Sequence, residues 1–192
     1  MLFRSDERTG EVLSTRGYCD VVEYDPAELM LTARAGTPLA ELETMLAAAG
    51  QMLPFEPPQF GGGTLGGCIA TGLSGPRRPY AGAARDFVLG VRVLDGRGTD
   101  LRFGGRVMKN VAGYDVSRLM VGSLGTLGVL LEVSLKVLPA KLEMTLRFDG
   151  DETAAFDRVN GLIARGLPVS ATCHHERSLH VRFMNRDRKS VV

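Results

Sequence analysis

The segment "GGGTLGGCIATGLSGPRRPYAG", residues 61–82, places eight glycines in twenty-two positions. A glycine inside a regular element costs roughly 0.5–1 kcal/mol relative to alanine, so such a run needs a reason. Seventeen of the 24 glycines fall between residues 61 and 128. A single tight turn packed on a neighbouring strand would use only a few of them. The density favours a backbone that something else approaches over a long stretch. Consecutive glycines let N–H groups converge on an anion, and a helix N-terminus behind them adds partial positive charge. "TLGGCIATGLSG" has the length of such a short helix.

Familiar phosphate motifs do not account for the run. Gly61, Gly63 and Gly66 fit G-x-G-x-x-G, and Asp86 lies about 20 residues on, as a dinucleotide-binding fingerprint requires. That fingerprint must leave a hydrophobic strand inside a βαβ unit. Here it leaves "PFEPPQF", a proline-rich connector, and there is no G-x-x-x-x-G-K-[ST]. Nucleophilic and metal catalysis are equally unsupported. The three histidines, His174, His175 and His180, all lie far from the glycines, and Cys19, Cys68 and Cys173 are widely spaced. They read as free thiols in a reducing compartment, with no metal site. A ligand-rich segment without its own acids and bases suggests a cofactor that carries the chemistry.

A chain of 192 residues holds one domain with a real core, or one and a half. The formal net charge of +1 argues against a general nucleic-acid binder. No apolar run approaches the ~18 residues of a membrane span, and no secretory signal opens the chain. Charge is uneven: residues 77–118 carry nine basic and four acidic side chains. This is either a solvated basic hairpin or a face for an anionic ligand or acidic partner. "MLFRS" and "DRKSVV" fit no periodic pattern and read as in-frame adapter translations, so residues 1–5 and 187–192 are set aside.

The rest alternates strands and helices. "DVVEYDPAELMLTARAG" predicts two strands around Asp25-Pro26. Thr37 is expected to cap a helix whose apolar face is Leu39, Leu42, Leu46 and Ala49, ended by Gly50. "FVLGVRVLDGRGTDLRFGG" carries a β-hairpin signature. "DVSRLMVGS" predicts a short helix, and "VLLEVSLKVLP" a long strand with Leu131, Val133, Leu135 and Val137 on one face. From residue 141 the pattern becomes strand, helix, strand, strand, the opening of a second α+β unit.

"PPQFGGGTLGGCIATGLSGPRRPYAGAARDFVLGVRVLDGRG" and "KNVAGYDVSRLMVGSLGTLGVLLEVSLKVLP" together resemble the FAD-binding domain of vanillyl-alcohol-oxidase-type (PCMH-type) flavoproteins. Within them the similarity is strongest to the FAD-binding E subunits of bacterial glycolate oxidases. It runs from about residue 14 to 183; "GPRRPYAG", "RDFVLG", "LRFGG" and "VMKNVAGYDVSRLM" are specific to those subunits, "GSLGTLGV" only to the superfamily. The resemblance implies an α+β fold: a PCMH-type domain over 6–140, in two α+β subdomains (6–58 and 59–140), then the start of a small α+β cap over 141–186. It implies FAD along Gly62, Gly63, Thr64, Gly66 and Gly67 at the pyrophosphate and ribityl region. Gly72, Ser74 and Gly75 would continue that wall toward the flavin. Gly125, Gly128 and Val129 match another cofactor-facing segment. Tyr80 and Gly82 match an aromatic–glycine step, here with an alanine between them.

The family also grips the pyrophosphate with an earlier glycine-rich loop that this chain lacks, so poor FAD binding by the chain alone is expected. Flavin attachment through His or Cys is not expected, since this half has no His and Cys68 reads as a packed small residue. The implied activity is oxidation of glycolate, or a similar 2-hydroxy acid, to the oxo acid. Hydride passes to FAD and electrons continue to an iron–sulfur partner subunit beside a homologous FAD-binding subunit. Arg77, Arg78 and Lys109 are candidates for an anionic substrate, because a guanidinium fork pairs well with a carboxylate; surface charge or a subunit contact is the alternative. Tyr114 is a candidate for lining the flavin. A non-catalytic FAD-binding assembly or relay subunit is the second reading. The expected location is the cytoplasm, peripheral to the inner membrane through partner subunits.

Overall fold

The computed structural model describes residues 12–58, 60–105 and 114–185. Its larger sheet is antiparallel with strand order β1-β2-β6-β4-β5. β1 (Val21–Asp25) and β2 (Met30–Arg34) form the first hairpin. Asp25 sets its turn by accepting from the N–H groups of Ala27 and Glu28 at 2.9 and 3.1 Å. β4 (Val88–Leu94) and β5 (Asp100–Gly104) form the second hairpin, where "DGRG" predicted it. Asp95 accepts from the N–H groups of Arg97 and Thr99, both at 2.8 Å. Those bonds hold its carboxyl below the usual carboxylate range.

β6 (Val129–Lys136) lies at the centre, between β2 and β4. Its pairing with β4 slips between Arg92 and Val93, so Arg92 faces Glu132 while Val93 faces Leu130. This bulge changes the face. Val133, Leu135 and Val137 are fully buried as expected, but Leu130 is buried and Leu131 only half-buried. The expected strict alternation therefore breaks at Leu131.

α1 (Leu39–Ala48) buries Leu39, Leu42 and Leu46 completely. Ala49, expected on that face, is exposed. Thr37 does not cap the helix; its hydroxyl donates to the Asp20 carbonyl and accepts from the Asp20 N–H, both at 3.0 Å. It ties the entry of β1 to the exit of β2. α2 (Leu65–Thr71) packs Leu65, Cys68 and Ile69 into the same core. The strands expected in two subdomains share this sheet and core, because β2 pairs with β6 across the 58/59 boundary.

β3 (Gln51–Met52) and β7 (Leu138–Pro139) form a two-stranded ribbon beside the larger sheet. A second sheet then follows, of order β8-β10-β9, from β8 (Glu143–Asp149), β9 (Val169–His175) and β10 (Ser178–Met184). α5 (Glu152–Ala164), capped by Asp151, joins β8 to β9. Its core is small: Ala155, Val169, Leu179 and Val181, with Tyr80, Phe148 and Phe183 packed on it.

Candidate functional site

The glycines divide into two groups by what a side chain would meet. At Gly61, Gly62, Gly122 and Gly125 an added Cβ would find nothing within 4 Å. All four are exposed. At Gly66, Gly75 and Gly128 it would strike the chain's own backbone: the Ala35, Glu56 and Leu94 carbonyl oxygens at 2.9, 1.8 and 2.7 Å. These three are accounted for by packing within the fold. Gly63 and Gly67 are intermediate, facing Leu39 Cδ1 at 3.3 Å and Thr64 Oγ1 at 3.2 Å. Gly72 is the left-handed C-cap of α2, and Gly82 closes α3 (Arg78–Ala81) beside the Asp86 carboxylate.

The fold fixes the open glycines at the two ends of α2. Leu39 N–H donates to the Gly63 carbonyl and Leu65 N–H to the Thr37 carbonyl, fixing the chain at the start of α2. Thr64 caps that helix by accepting from Gly67 N–H at 3.2 Å. At the other end, Gly122 and Leu124 donate to the Ile69 and Ala70 carbonyls at 3.0 and 2.8 Å. The loop 122–128 is thereby laid on α2. The N–H groups of Gly61, Gly62 and Gly63 have no acceptor among the described residues. Leu73, Leu124 and Leu127 are exposed beyond the C-terminal end of α2, and Phe60, next to Gly61, is 83% exposed. Val129 is half-buried at the start of β6, and Ser74 is buried, donating to the Gly72 carbonyl and accepting from Ala84 N–H.

The proposed substrate cations behave differently from one another. Arg77 is only 4% exposed. Its Nη2 donates to Glu56 Oε1 and Glu143 Oε1, both at 3.0 Å. Arg182 grips the same Glu56 carboxylate with two donors, at 2.7 and 2.6 Å. Burial pushes the Glu56 carboxyl up, but hydrogen bonds from Arg182 and Arg77 outweigh it and hold it below the usual range. This quartet joins the larger sheet's unit to the second sheet. Arg78 is exposed, and Tyr114 is 99% exposed just before α4 (Val116–Leu119). Lys109 lies outside the described residues. Tyr80 faces the second sheet, its hydroxyl donating to Thr172 Oγ1 at 3.5 Å. Sequence reading passed over Glu56 and Arg182; a lone acid inside apolar "LPFEPP" was the available signal.

The basic excess of residues 77–118 is also partly internal. Arg92 pairs with Glu132 at 2.7 Å and with Asp100, and Arg77 pairs with two acids from outside the segment. Burial, and then the Glu43 charge, push the Cys68 thiol up to about 12, which makes it inert as a nucleophile. Among the described residues no group of three or more His, Cys, Asp and Glu is placed to hold a metal ion.

With this geometry established, a family model described as an FAD binding domain matches residues 2–104. The chain belongs to the FAD binding domain family. It is 52% identical over 177 residues to glycolate oxidase subunit GlcE of Escherichia coli, covering 91% of this chain and 51% of that protein. It is 35% identical to glycolate oxidase subunit GlcD of Bacillus subtilis, covering 84% and 35%. D-2-hydroxyglutarate dehydrogenase of Xanthomonas citri is 33% identical over 66% of this chain and 27% of its own. The chain thus spans about half of the first relative's length and about a third of the second's. An alkyldihydroxyacetonephosphate synthase structure superposes with a TM-score of 0.70 at 20% identity, covering 88% of this chain and 37% of its own. That likeness shows the PCMH-type fold.

The residues fit FAD. Open glycine backbone at 61–62 and 122–125, with three N–H groups lacking acceptors among the described residues, leaves the room and donors that a pyrophosphate-bearing cofactor needs. The exposed leucines beside them suit its apolar parts.

Proposed function

We propose that this chain is the FAD-binding part of a glycolate oxidase subunit, acting on glycolate or a similar small 2-hydroxy acid. The open glycine face carries this reading, supported by the 52% identity to GlcE. Gly61, Gly62 and Gly63 would hold the pyrophosphate by backbone N–H donation, and Gly67, Gly122 and Gly125 would admit the cofactor without a side chain in the way. FAD, when bound, supplies the hydride acceptor that turns the 2-hydroxy acid into glyoxylate or its analogue. Leu73, Leu124 and Leu127 would keep water from that surface. Electrons would leave to an iron–sulfur partner subunit. Among the described residues no helix is long and apolar enough to cross a membrane.

A second reading has a specific observation behind it. Arg77 is engaged by Glu56 and Glu143, and no histidine lies in the glycine-rich half. A subunit that binds FAD for assembly or relay would need no substrate cation there. The visible spectrum under anaerobic glycolate separates the two. Reconstituted with FAD and partner subunits, a catalytic subunit bleaches its flavin band. A band that persists while a homologous partner's bleaches assigns the chain to assembly or relay, and failure to retain any flavin overturns both.

A further inference from the structure

β8 is an edge strand of the second sheet. It pairs with β10 from Glu143 to Asp149, and no strand among the described residues pairs with its other side. Just outside its two ends, the Leu142 carbonyl accepts from the Asn185 N–H and the Gly150 N–H donates to the Arg177 carbonyl. Successive residues of an antiparallel strand turn their N–H and C=O groups to opposite sides. The even positions therefore bond inward, and Glu143, Thr145, Arg147 and Asp149 turn theirs to the open edge.

Side chains alternate between the two faces in the same way. Leu142, Met144 and Leu146 are exposed, on the face where Phe148 carries the Arg158 guanidinium at 4.5 Å. They extend the small core to the edge, since Leu146 lies opposite Val181 and Met144 opposite Phe183. The other face carries Glu143, Thr145, Arg147 and Asp149, with Lys141 just before them. An open edge is a template for another strand, and charges usually blunt it. The arrangement of those charges decides which strand it accepts.

Turned antiparallel to itself about a two-fold axis at Thr145, this stretch is self-complementary. Met144 then faces Leu146, Leu142 faces Phe148, Glu143 faces Arg147, and Lys141 faces Asp149. Apolar groups meet on one face and opposite charges on the other. An axis at Met144 would instead set Lys141 against Arg147, and one at Leu146 would set Glu143 against Asp149. Like charges directly opposite destabilise a strand pair. The Arg147 and Asp149 side chains are 66% and 85% exposed, so a second strand can reach them. Glu143 keeps its bonds to Arg77 and Arg182, because a carboxylate has about four acceptor sites. Lys141 is engaged within its own chain, and this register sets no like charge against it.

We propose that β8 joins the β8 of a second copy of this chain, edge to edge, with Thr145 at the two-fold axis and one antiparallel sheet running through both copies. The assignment does not depend on the cofactor reading.

Sedimentation equilibrium of the chain, over concentrations up to the millimolar range, reads the association directly. A monomer–dimer equilibrium is expected. Amide exchange followed by NMR should slow at Thr145 and Arg147 as the dimer forms, and change less at Met144 and Leu146, which already bond to β10. Thr145→Pro removes an outward N–H at the axis and leaves the β10 ladder intact; it should weaken the dimer at least tenfold. Asp149→Lys opposes Lys141 twice across the axis and should weaken it as much. Adding Lys141→Asp to Asp149→Lys restores opposite charges and should recover most of the loss; circular dichroism checks that each variant folds. A chain that stays monomeric overturns the proposal and leaves the edge to a strand of a different protein. A dimer that survives both single substitutions forms through another surface and overturns it too, as does slowed exchange confined to the loop 122–128. Failure of the charge swap to recover affinity overturns the two-fold register.

Discussion

At Gly75 the backbone has φ +71° and a Cβ would lie 1.8 Å from the Glu56 carbonyl oxygen; at Gly125 φ is +75° and the space is open. Gly75→Ala therefore adds a clash with backbone to left-handed strain. Its expected cost is about 3 kcal/mol or more. Gly125→Ala meets only the strain, about 1 kcal/mol, but puts a methyl on the proposed cofactor face. Thermal unfolding without FAD should rank Gly75→Ala far below Gly125→Ala. The stabilisation that added FAD gives should shrink in Gly125→Ala, and an undiminished shift would remove residue 125 from the cofactor surface. Glu56 yields a pH prediction. Its folded pKa lies below its unfolded value of about 4.3. The stability it adds is present above that value and is lost as pH falls through the folded pKa. Glu56→Gln should cost about 2 kcal/mol at pH 7, less than a fully buried pair because the side chain is 27% exposed. It should also flatten the decline in stability below pH 4 seen by urea titration.

Among the elements, β6 decides how the larger sheet is assembled, and its bulge separates two adjacent leucines. Leu130→Ala should cost about 3 kcal/mol and Leu131→Ala about 1 kcal/mol, measured by urea unfolding. Equal losses would mean that the face does not switch. The sequence pattern pointed the other way, because alternation along one strand carries no information about a slip against its partner. The hairpin at 88–104 was legible because "DGRG" and its flanking runs are local. Thr37 was misread because its partner, Asp20, lies 17 residues back, across the first hairpin. The glycine run pointed to a backbone face, but not to which of its glycines the fold itself requires. Gly66 and Gly128 are required by Ala35 and Leu94, contacts that only the folded sheet creates. Glu56 was passed over for the same reason, since its partner Arg182 is 126 residues away.

At the scale of the whole molecule, two cores of unequal size meet at the Glu56–Arg77–Glu143–Arg182 quartet. The second sheet and α5 bury a small apolar set, Ala155, Val169, Ala171, Leu179 and Val181, while Phe156 is 68% and Met144 58% exposed. A unit this small has little apolar burial to offset the entropy of ordering its chain. It should lean on the larger unit through Arg182, which bonds Glu56 twice, and through Tyr80. Arg182→Met removes the bidentate grip but preserves most of the side-chain volume. Hydrogen exchange should then accelerate at least tenfold across β8, β9 and β10, while β2, β4 and β6 keep their protection. In the parent chain the second sheet should already exchange faster than the first, since its core is the smaller. An equal acceleration in both sheets would make the quartet part of one cooperative unit, and unchanged exchange would leave Tyr80 and the ribbon as what holds the second sheet in place.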